Sequence, residues 1–306
     1  MTDETTCGYV ALVGRPNVGK STLLNHLLGR KLAITSRRPQ TTRHNLLGVD
    51  TCGASQAIWV DTPGIHRAQG RALNRLMVKS ATSVLSDVDV VVVLIEALRW
   101  TEEDAFVLEH VRAAQAARDE RRGGLPAIAA ISKVDLLADR TQLLPQMRML
   151  GEMNAFAAIV PIAALRGWGL AELKSEVAKR LPKAPHLFPA DQVTDRSERF
   201  IVAEIVREKL MRQLGDELPH RAAVLIDRFV TGKRLVEIDA TIYVERTGQK
   251  AIVIGKQGAR LKSIGQDARI DVEKLLGKQV MLRLWVKVKA DWSRNEAWLR
   301  QLGFDA

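Results

Sequence analysis

The sequence predicts an α/β protein with a doubly wound, mostly parallel sheet in its first part and a smaller α+β unit in its second. Short β-branched runs alternate with longer amphipathic stretches from Tyr9 to about Leu181, which favours a parallel sheet covered on both faces. The alternation stops at the proline-containing stretch LPKAPHLFPADQVTD, and the order beyond it changes to α-β-β-α-α-β. We therefore divide the chain into residues 1–181, a linker at residues 182–195, and residues 196–306.

Composition indicates a folded protein that attracts polyanions. The 306 residues are 46% hydrophobic and 26% charged, which suits two globular domains with cores of their own. The net charge is +11, and residues 246–289 hold 11 basic side chains against three acidic ones. This segment is the expected surface for binding nucleic acid or another polyanion.

The chain carries no sign of export or membrane insertion, so we expect a cytoplasmic protein. The acidic, polar start MTDETTCGYV differs from a signal peptide. The longest apolar run, around residues 90–95, is far shorter than the roughly 20 residues that a membrane-spanning helix needs. Cys7 and Cys52 are far apart and lack metal-ligand spacing, so we interpret both as reduced, buried thiols.

The first strand, YVALVG, leads into GRPNVGKS and then into the helix-like TLLNHLLG, which is the context of a Walker A motif in a P-loop NTPase fold. Glycines let successive N–H groups face one phosphate group, and the helix adds its positive end. Lys20 should bridge the β- and γ-phosphates, and Ser21 should hold Mg²⁺. A glycine turn before a helix is the alternative. The predicted nucleotide-binding residues are Gly14, Arg15, Pro16, Asn17, Val18, Gly19, Lys20, Ser21 and Thr22.

The next strand ends in WVDTPG, where Asp61 can orient a Mg²⁺-bound water and Gly64 can offer its N–H to a γ-phosphate. Before it lies the polar stretch TSRRPQTTRHN, in which one of the paired hydroxyls of Thr41 and Thr42 is expected to complete the Mg²⁺ shell only when a triphosphate is bound, and we assign Thr42. A plain surface loop is the alternative. Lys20, Thr42, Asp61 and Gly64 are the predicted catalytic residues. Ile65 occupies the position where some GTPases use Gln, so we expect slow hydrolysis unless a partner or cation positions the water.

Two later strands, AIAAIS and AIVPIAA, end at a predicted guanine site. In SKVD, Asp135 would accept hydrogen bonds from guanine N1–H and N2–H, and Lys133 would stack along the base. Ser132 stands where GTPases usually have Asn, and one lost hydrogen bond costs roughly 1–3 kcal/mol, or about 5- to 150-fold in affinity. The Ala164 N–H would bind guanine O6, while Ala163 replaces a common Ser. The pattern predicts a guanine site of weakened affinity.

The second half contains GKQG after the apolar residues 252–254, which we interpret as a strand end, and before a basic helix. With the α-β-β-α-α-β order this is typical of a type II KH module, whose GXXG loop clamps single-stranded nucleic acid. A tight turn joining two helices is the alternative. Trp285, on the basic face of the last strand, could stack a base, but we favour its being covered by the C-terminal tail. The predicted RNA-binding residues are Gly255, Lys256, Gln257, Gly258, Arg260 and Lys262.

These motifs together resemble the Era family of bacterial GTPases, which carry a C-terminal KH domain. The resemblance rests on GRPNVGKSTLLN, SRRPQTTRHN, WVDTPG, SKVD, FPADQVTDRSERFIVAEIVREKLMRQLGDELP, IGKQGARLKSIG and LRLWVKVK. It implies GTP and GDP as ligands, binding of the 3′ region of 16S ribosomal RNA, and a GTP-dependent role in maturation of the small (30S) ribosomal subunit. It further implies a monomer when free, loose contact with the anionic inner membrane, and K⁺ at Asn17.

Three hypotheses follow. The leading one is a GTP-hydrolysing assembly factor that binds ribosomal RNA. The alternative is a ribosome-associated RNA-binding chaperone with a weakened nucleotide site, acting without significant GTP turnover, and it is motivated by Ser132, Ala163 and Ile65. A nucleotide-gated protein of the membrane surface is a third, weaker reading.

Overall fold

The computed structural model describes residues 5–36, 41–66, 72–118, 124–215 and 222–302. The chain forms two compact units. The first comprises Met1–Ala33, Thr42–Gln69 and Met77–Asp195, and the second comprises Ile34–Thr41, Gly70–Leu76 and Arg196–Ala306. The chain therefore passes from the second unit back to the first between Thr41 and Thr42.

The first unit alternates strands and helices along the chain. Its strands are β1 (Thr6–Val13), β2 (Leu46–Cys52), β3 (Ser55–Asp61), β4 (Val90–Glu96), β5 (Ala127–Ser132) and β6 (Ala158–Pro161). Its helices are α1 (Lys20–Leu28), α2 (Ala72–Asp87), α3 (Glu102–Ala117), α4 (Leu144–Glu152) and α5 (Leu170–Ala178), except that the first turn of α2, up to Leu76, belongs to the second unit. Short 3₁₀ turns lie at Val134–Leu136, Arg140–Leu143 and Ala164–Arg166.

The six strands form one sheet in the order β2-β3-β1-β4-β5-β6, in which only the β2–β3 pair is antiparallel. The central strand β4 is an unbroken apolar run that is buried from Val90 to Ile95, because helices cover both faces of a parallel sheet. The predicted doubly wound, mostly parallel sheet is confirmed. The carboxyl ends of its parallel strands lie at one edge, where such sheets bind ligands.

Strand β2 is an element that the sequence analysis did not single out. Its sequence LLGVDTC contains Gly48 and Asp50, which weaken the apolar pattern typical of a strand. Gly48 packs closely on α1, since a Cβ there would lie 2.5 Å from Leu28 Cδ1 and would force that side chain to shift. Cys7 is buried as expected, whereas Cys52 at the end of β2 is exposed, so the interpretation of Cys52 as a buried thiol is wrong.

The segment between residues 182 and 195 is hydrogen-bonded to the first unit. The buried Gln56 of β3 accepts from the N–H groups of Leu187 and Phe188 at 2.9 and 3.0 Å and donates to the Phe188 carbonyl at 2.8 Å. Thr194 Oγ1 donates to the Leu47 carbonyl at 2.7 Å. The segment is therefore attached along β2 and β3 through specific contacts and is not an unattached tether.

The second unit follows the order α6 (Glu198–Gln213), β7 (Ala222–Thr231), β8 (Leu235–Val244), α7 (Thr247–Ile254), α8 (Ala259–Leu276) and β9 (Gln279–Val288). Its sheet has the order β7-β8-β9, with β7–β8 antiparallel and β8–β9 parallel. The predicted α-β-β-α-α-β arrangement of a KH module is confirmed. Residues 252–254 are the end of helix α7, so their interpretation as a strand end is wrong. The tail adds the short helix α9 (Glu296–Gln301).

Helix α6 carries a buried group of charged side chains. Glu208 is fully buried and pairs with Arg212 at 2.9 Å, and it accepts from the Thr35 N–H at 3.0 Å. Arg207, also buried, donates to the Thr41 carbonyl. Helix α6 therefore holds both described ends of Ile34–Thr41 within the second unit.

No helix among the described residues is both long and apolar enough to span a membrane.

We predict that Gln56→Leu weakens the attachment of residues 182–195. The apolar leucine leaves the two N–H groups of Leu187 and Phe188 without their acceptor, which should lower the free energy of unfolding by about 2–4 kcal/mol. The readout is the urea transition together with the rate of chymotrypsin cleavage after Leu187, compared with Asp191→Ala, which changes an exposed residue of the same segment, as a control. Equal cleavage rates in wild type and Gln56→Leu would contradict the assignment.

Candidate nucleotide site and nucleic-acid groove

The phosphate loop, residues 14–21, links β1 to α1 and is closed around Lys20. Burial places the Lys20 ammonium inside the loop, where Nζ donates to the Gly14 and Arg15 carbonyls at 2.8 and 3.0 Å. Asn17 and Gly19 adopt left-handed backbone conformations with φ of 63° and 113°. The loop has the wrapped form that lets successive N–H groups face an anion at the start of α1.

Ser21, Thr42 and Asp61 meet at one corner of this loop. Ser21 Oγ lies 2.7 Å from Thr42 Oγ1 and donates to Asp61 Oδ2 at 2.6 Å, and Thr42 Oγ1 donates to the same oxygen at 3.3 Å. Asp61 Oδ1 is buried without a hydrogen-bond partner among the described residues. Two hydroxyls and a carboxylate are hard oxygen donors of the kind that Mg²⁺ prefers. The arrangement fits the predicted Mg²⁺ site.

Burial shifts both charged groups at this corner. It lowers the pKa of Lys20 to about 8, although the Asp61 carboxylate opposes the shift. It raises the pKa of Asp61 to about 6, against hydrogen bonds from Ser21 and Thr42 and the charge of Lys20. Removing two charges from water is unfavourable unless each finds a partner, so the corner is suited to an anion beside Lys20 and a cation beside Asp61.

The loop after β3 packs directly on the phosphate loop. A Cβ at Gly64 would lie 2.8 Å from the Pro16 nitrogen, so this close approach needs glycine. The Ile65 N–H donates to the Gly14 carbonyl at 3.2 Å. The Ile65 side chain is fully buried in the hydrophobic core, which agrees with the expectation that it does not position water. Of the predicted switch segment, residues 37–40 lie outside the described part of the chain.

His66 is a polar residue beside this loop that the sequence analysis did not single out. Its Nδ1 lies 2.8 Å from the Gly64 carbonyl oxygen, and its Nε2 is buried with no hydrogen-bond partner among the described residues. The sequence could have indicated this residue only by its position, since a histidine directly after Ile65 places a polar side chain next to the WVDTPG motif.

Ser132, the last residue of β5, is tied to the phosphate loop. Its buried Oγ donates to the Val18 carbonyl at 2.9 Å. The next residue, Lys133, has a left-handed backbone with φ of 61°, and Asp135 follows in the 3₁₀ turn Val134–Leu136. The Asp135 carboxylate makes no hydrogen bond with the described residues, and it is partly exposed. Ser132 thus connects the predicted guanine loop, residues 132–135, to the phosphate loop.

Glu96, at the carboxyl end of β4, links the same two loops by charge, and the sequence analysis did not identify it. One oxygen lies 3.0 Å from Lys133 Nζ, and the other pairs with the buried guanidinium of Arg15. Partial burial raises the pKa of Glu96, but hydrogen bonds and charge from Lys133 and Arg15 outweigh it and hold the pKa below its ordinary value. Asp104 also lies 3.5 Å from Arg15. The Arg15 side chain is therefore engaged by carboxylates, and only its backbone is left for phosphate.

The second unit contains a groove beside the GXXG loop. The loop joins α7 to α8, and Gly255 has φ of 73° with a Cβ position that would lie 2.7 Å from Arg260 Cβ, so the close approach requires glycine. Gln257 and Gly258 also have positive φ. The groove has a volume of about 440 Å³. It is lined by Gly258, Leu261, Lys262, Gly265, Gln266, Arg269, Leu282 and Leu284.

The predicted RNA-binding cations differ in their surroundings. Lys262 lines the groove, and Lys256 is exposed in the GXXG loop. The Arg260 guanidinium donates to the Ile252 carbonyl at 2.9 Å, so it also closes the end of α7. Trp285 remains 43% exposed, because the C-terminal Trp298 packs on Tyr243 with ring centroids 4.6 Å apart. The expectation that the tail covers Trp285 is wrong.

Comparison with protein families gives two matches. Residues 9–121 match the family described as 50S ribosome-binding GTPase, and residues 217–293 match the KH domain family. These ranges contain the phosphate loop and the GXXG loop, respectively.

Full-length relatives agree with both matches. The chain is 53% identical to the GTPase Era of Ectopseudomonas mendocina and 54% identical to that of Pseudomonas fluorescens, over 306 residues and 99% of each chain. Two solved structures superpose with a TM-score of 0.92 at 38% identity, covering 99% of this chain and 100% of the other. One is a variant of Aquifex aeolicus Era bound to GDP and AlF₄⁻, and the other is Era with MgGDPNP and nucleotides 1506–1542 of 16S ribosomal RNA. This chain belongs to the Era family of GTPases.

Proposed function

We propose that this GTPase binds guanine nucleotides with Mg²⁺, binds the 3′ region of 16S ribosomal RNA and assists maturation of the small ribosomal subunit. The observation that carries the nucleotide part is the convergence of Ser21, Thr42 and Asp61 on one corner of a phosphate loop that Ser132 ties to the guanine loop. The RNA part is supported by the groove beside GXXG. Era in complex with 16S ribosomal RNA is a structural relative over the whole chain.

In the proposed site, each residue of the phosphate corner has one task. Lys20 exchanges its loop carbonyls for the β- and γ-phosphate oxygens, and the Gly64 N–H donates to the γ-phosphate. Ser21 and Thr42 would supply oxygen ligands to Mg²⁺, and Asp61 would accept a hydrogen bond from a water of that ion. When bound, Mg²⁺ would neutralise charge that develops on the phosphate oxygens. Asn17 is the proposed contact for K⁺. This cation would add positive charge at the phosphates and so compensate for Ile65, which cannot position the attacking water.

Guanine selection is assigned to the loops after β5 and β6. Asp135 accepts from N1–H and N2–H, the Lys133 stem covers the base, and the Ala164 N–H donates to O6. Adenine has no hydrogen at N1 and no amino group at C2, so it leaves the carboxylate unpaired. Ser132 was one reason to consider the chaperone alternative. It supports that alternative less strongly here, because its hydroxyl still binds the phosphate loop and only the contact of an Asn amide with the base is lost.

RNA binding is assigned to the GXXG loop and its groove. Gly255 and Gly258 allow close approach of phosphates, Lys256 and Lys262 supply charge, and the leucines of β9 contact bases in the groove. We propose a GTP-binding domain at residues 1–181, a linker at 182–195 and an RNA-binding KH domain with its tail at 196–306. We also propose a cytoplasmic protein that is monomeric when free, and its net charge of +11 supports loose contact of its basic surface with an anionic inner membrane.

The proposed function is tested by substitutions at Ser132. Removing the hydroxyl in Ser132→Ala leaves the buried Val18 carbonyl unpaired and should lower GDP affinity about 5-fold or more, with GTP hydrolysis falling in parallel. Ser132→Thr retains the hydroxyl and serves as the matched control, and Ser132→Asn should raise the affinity by adding a contact to the base. Affinity is measured by titration with labelled GDP, and turnover with and without ribosomal RNA and K⁺. Wild-type protein with no measurable GDP binding or turnover would support the chaperone instead.

RNA binding is tested on helix α8. We predict that Lys262→Ala weakens binding of an RNA oligonucleotide corresponding to the 3′ end of 16S ribosomal RNA and flattens its salt dependence by about 0.7 in the logarithmic slope, the value for one phosphate contact on a single strand. Lys274→Ala is the matched control, since this exposed lysine of the same helix lies outside the groove lining. Equal slopes for the two variants would place the RNA on another surface.

A further inference from the structure

The loop that carries Ala164 is closed by backbone hydrogen bonds between its two ends. The Ala163 N–H donates to the Trp168 carbonyl at 3.0 Å, and the Trp168 N–H donates to the Ala163 carbonyl at 3.2 Å. Gly169 continues the chain where a Cβ would lie 2.2 Å from the Pro161 carbonyl oxygen. Among the described residues, no backbone carbonyl accepts from the Ala164 N–H, as is usual for the first residue of a short helical turn.

The Trp168 side chain lies against a residue of the other guanine loop. The Arg140 guanidinium carbon is 4.2 Å from the centroid of the Trp168 ring. Arg140 begins the 3₁₀ turn Arg140–Leu143, whose start is fixed by Asp139, the acceptor for the Thr141 N–H at 2.9 Å. Arg140 follows β5 and Trp168 follows β6, so this contact connects the loop of Asp135 to the loop of Ala164.

Ala163, whose backbone pairs with that of Trp168, stands where GTPases commonly have a Ser hydroxyl. Ala163 is fully buried and offers only a methyl group, so it cannot make a side-chain hydrogen bond to hold the loop. The Trp168 ring is 46% exposed, so burial in the core does not explain its position. A cation over an indole face is the strongest pairing of its kind, and a flat guanidinium can stack on the ring.

We propose that Arg140 and Trp168 form a positioning pair that holds the Ala164 N–H in place for guanine O6. The inference rests on the guanine site proposed above and adds two residues to it. Neither residue touches the base. Arg140 holds the indole ring of Trp168, which restrains the Trp168 backbone. The paired backbone hydrogen bonds between Trp168 and Ala163 then orient the next peptide, which carries the Ala164 N–H.

The test compares three nucleotides with Trp168→Ala and Arg140→Ala. Inosine diphosphate keeps O6 and lacks the exocyclic amino group, whereas 6-thioguanosine diphosphate has a weakly accepting sulfur in place of O6. Loss of a surface cation–π contact should weaken GDP and inosine diphosphate equally, by about 2- to 5-fold. Binding of 6-thioguanosine diphosphate should change less, because its contact to the Ala164 N–H is already weak.

Matched variants separate positioning from general stability. Trp168→Phe keeps an aromatic face and should recover part of the GDP affinity, and Leu144→Ala removes an exposed apolar side chain nearby and should change nothing. Equal losses for all three nucleotides, or unchanged GDP affinity in Trp168→Ala, would overturn the pair's role. Wild-type protein that binds no GDP would instead overturn the proposed guanine site, and the two failures are therefore distinguishable.

Discussion

The nucleotide site depends on keeping the phosphate loop in register with the loops that follow β3, β4 and β5. Three contacts do this: the Ile65 N–H on the Gly14 carbonyl, the pairing of Arg15 with Glu96, and the Ser132 hydroxyl on the Val18 carbonyl. Each joins residues that are distant in sequence and meet only because parallel strands end at one edge of the sheet. A site held in this way before ligand arrives loses less entropy on binding, which is the advantage of preorganisation.

The same contacts explain how the phosphate loop stays connected to β5 although Ser132 stands where GTPases usually have Asn. A serine hydroxyl is short, but β5 brings it within 2.9 Å of the phosphate loop, so the structural connection survives while reach toward the base is lost. Glu96 adds a second connection, since its carboxylate is shared by Arg15 and Lys133. Ser132 therefore keeps the hydrogen bond to the phosphate loop and lacks only the contact that an Asn amide could make to the base.

Local sequence was sufficient for the fold class and for the residues of the phosphate loop, because a glycine-rich turn between a strand and a helix is a local pattern. It was insufficient where tertiary contacts decide. Glu96 acquires its role only by meeting Arg15, 81 positions away along the chain. Residues 252–254 are apolar and β-branched, yet they form the end of α7 because one side of that helix packs inward, with Val253 fully buried. Trp285 stayed exposed since the tail packs on Tyr243 instead.

We predict that the nucleotide site is intact and selects guanine despite Ser132 and Ala163. The most direct measurement is calorimetric titration of the wild-type protein with GDP and with ADP in the presence of Mg²⁺. We expect saturable binding of one GDP per chain and at least about 100-fold weaker binding of ADP, since adenine leaves the Asp135 carboxylate unpaired. Equal affinity for the two nucleotides, or no binding of GDP, would contradict it.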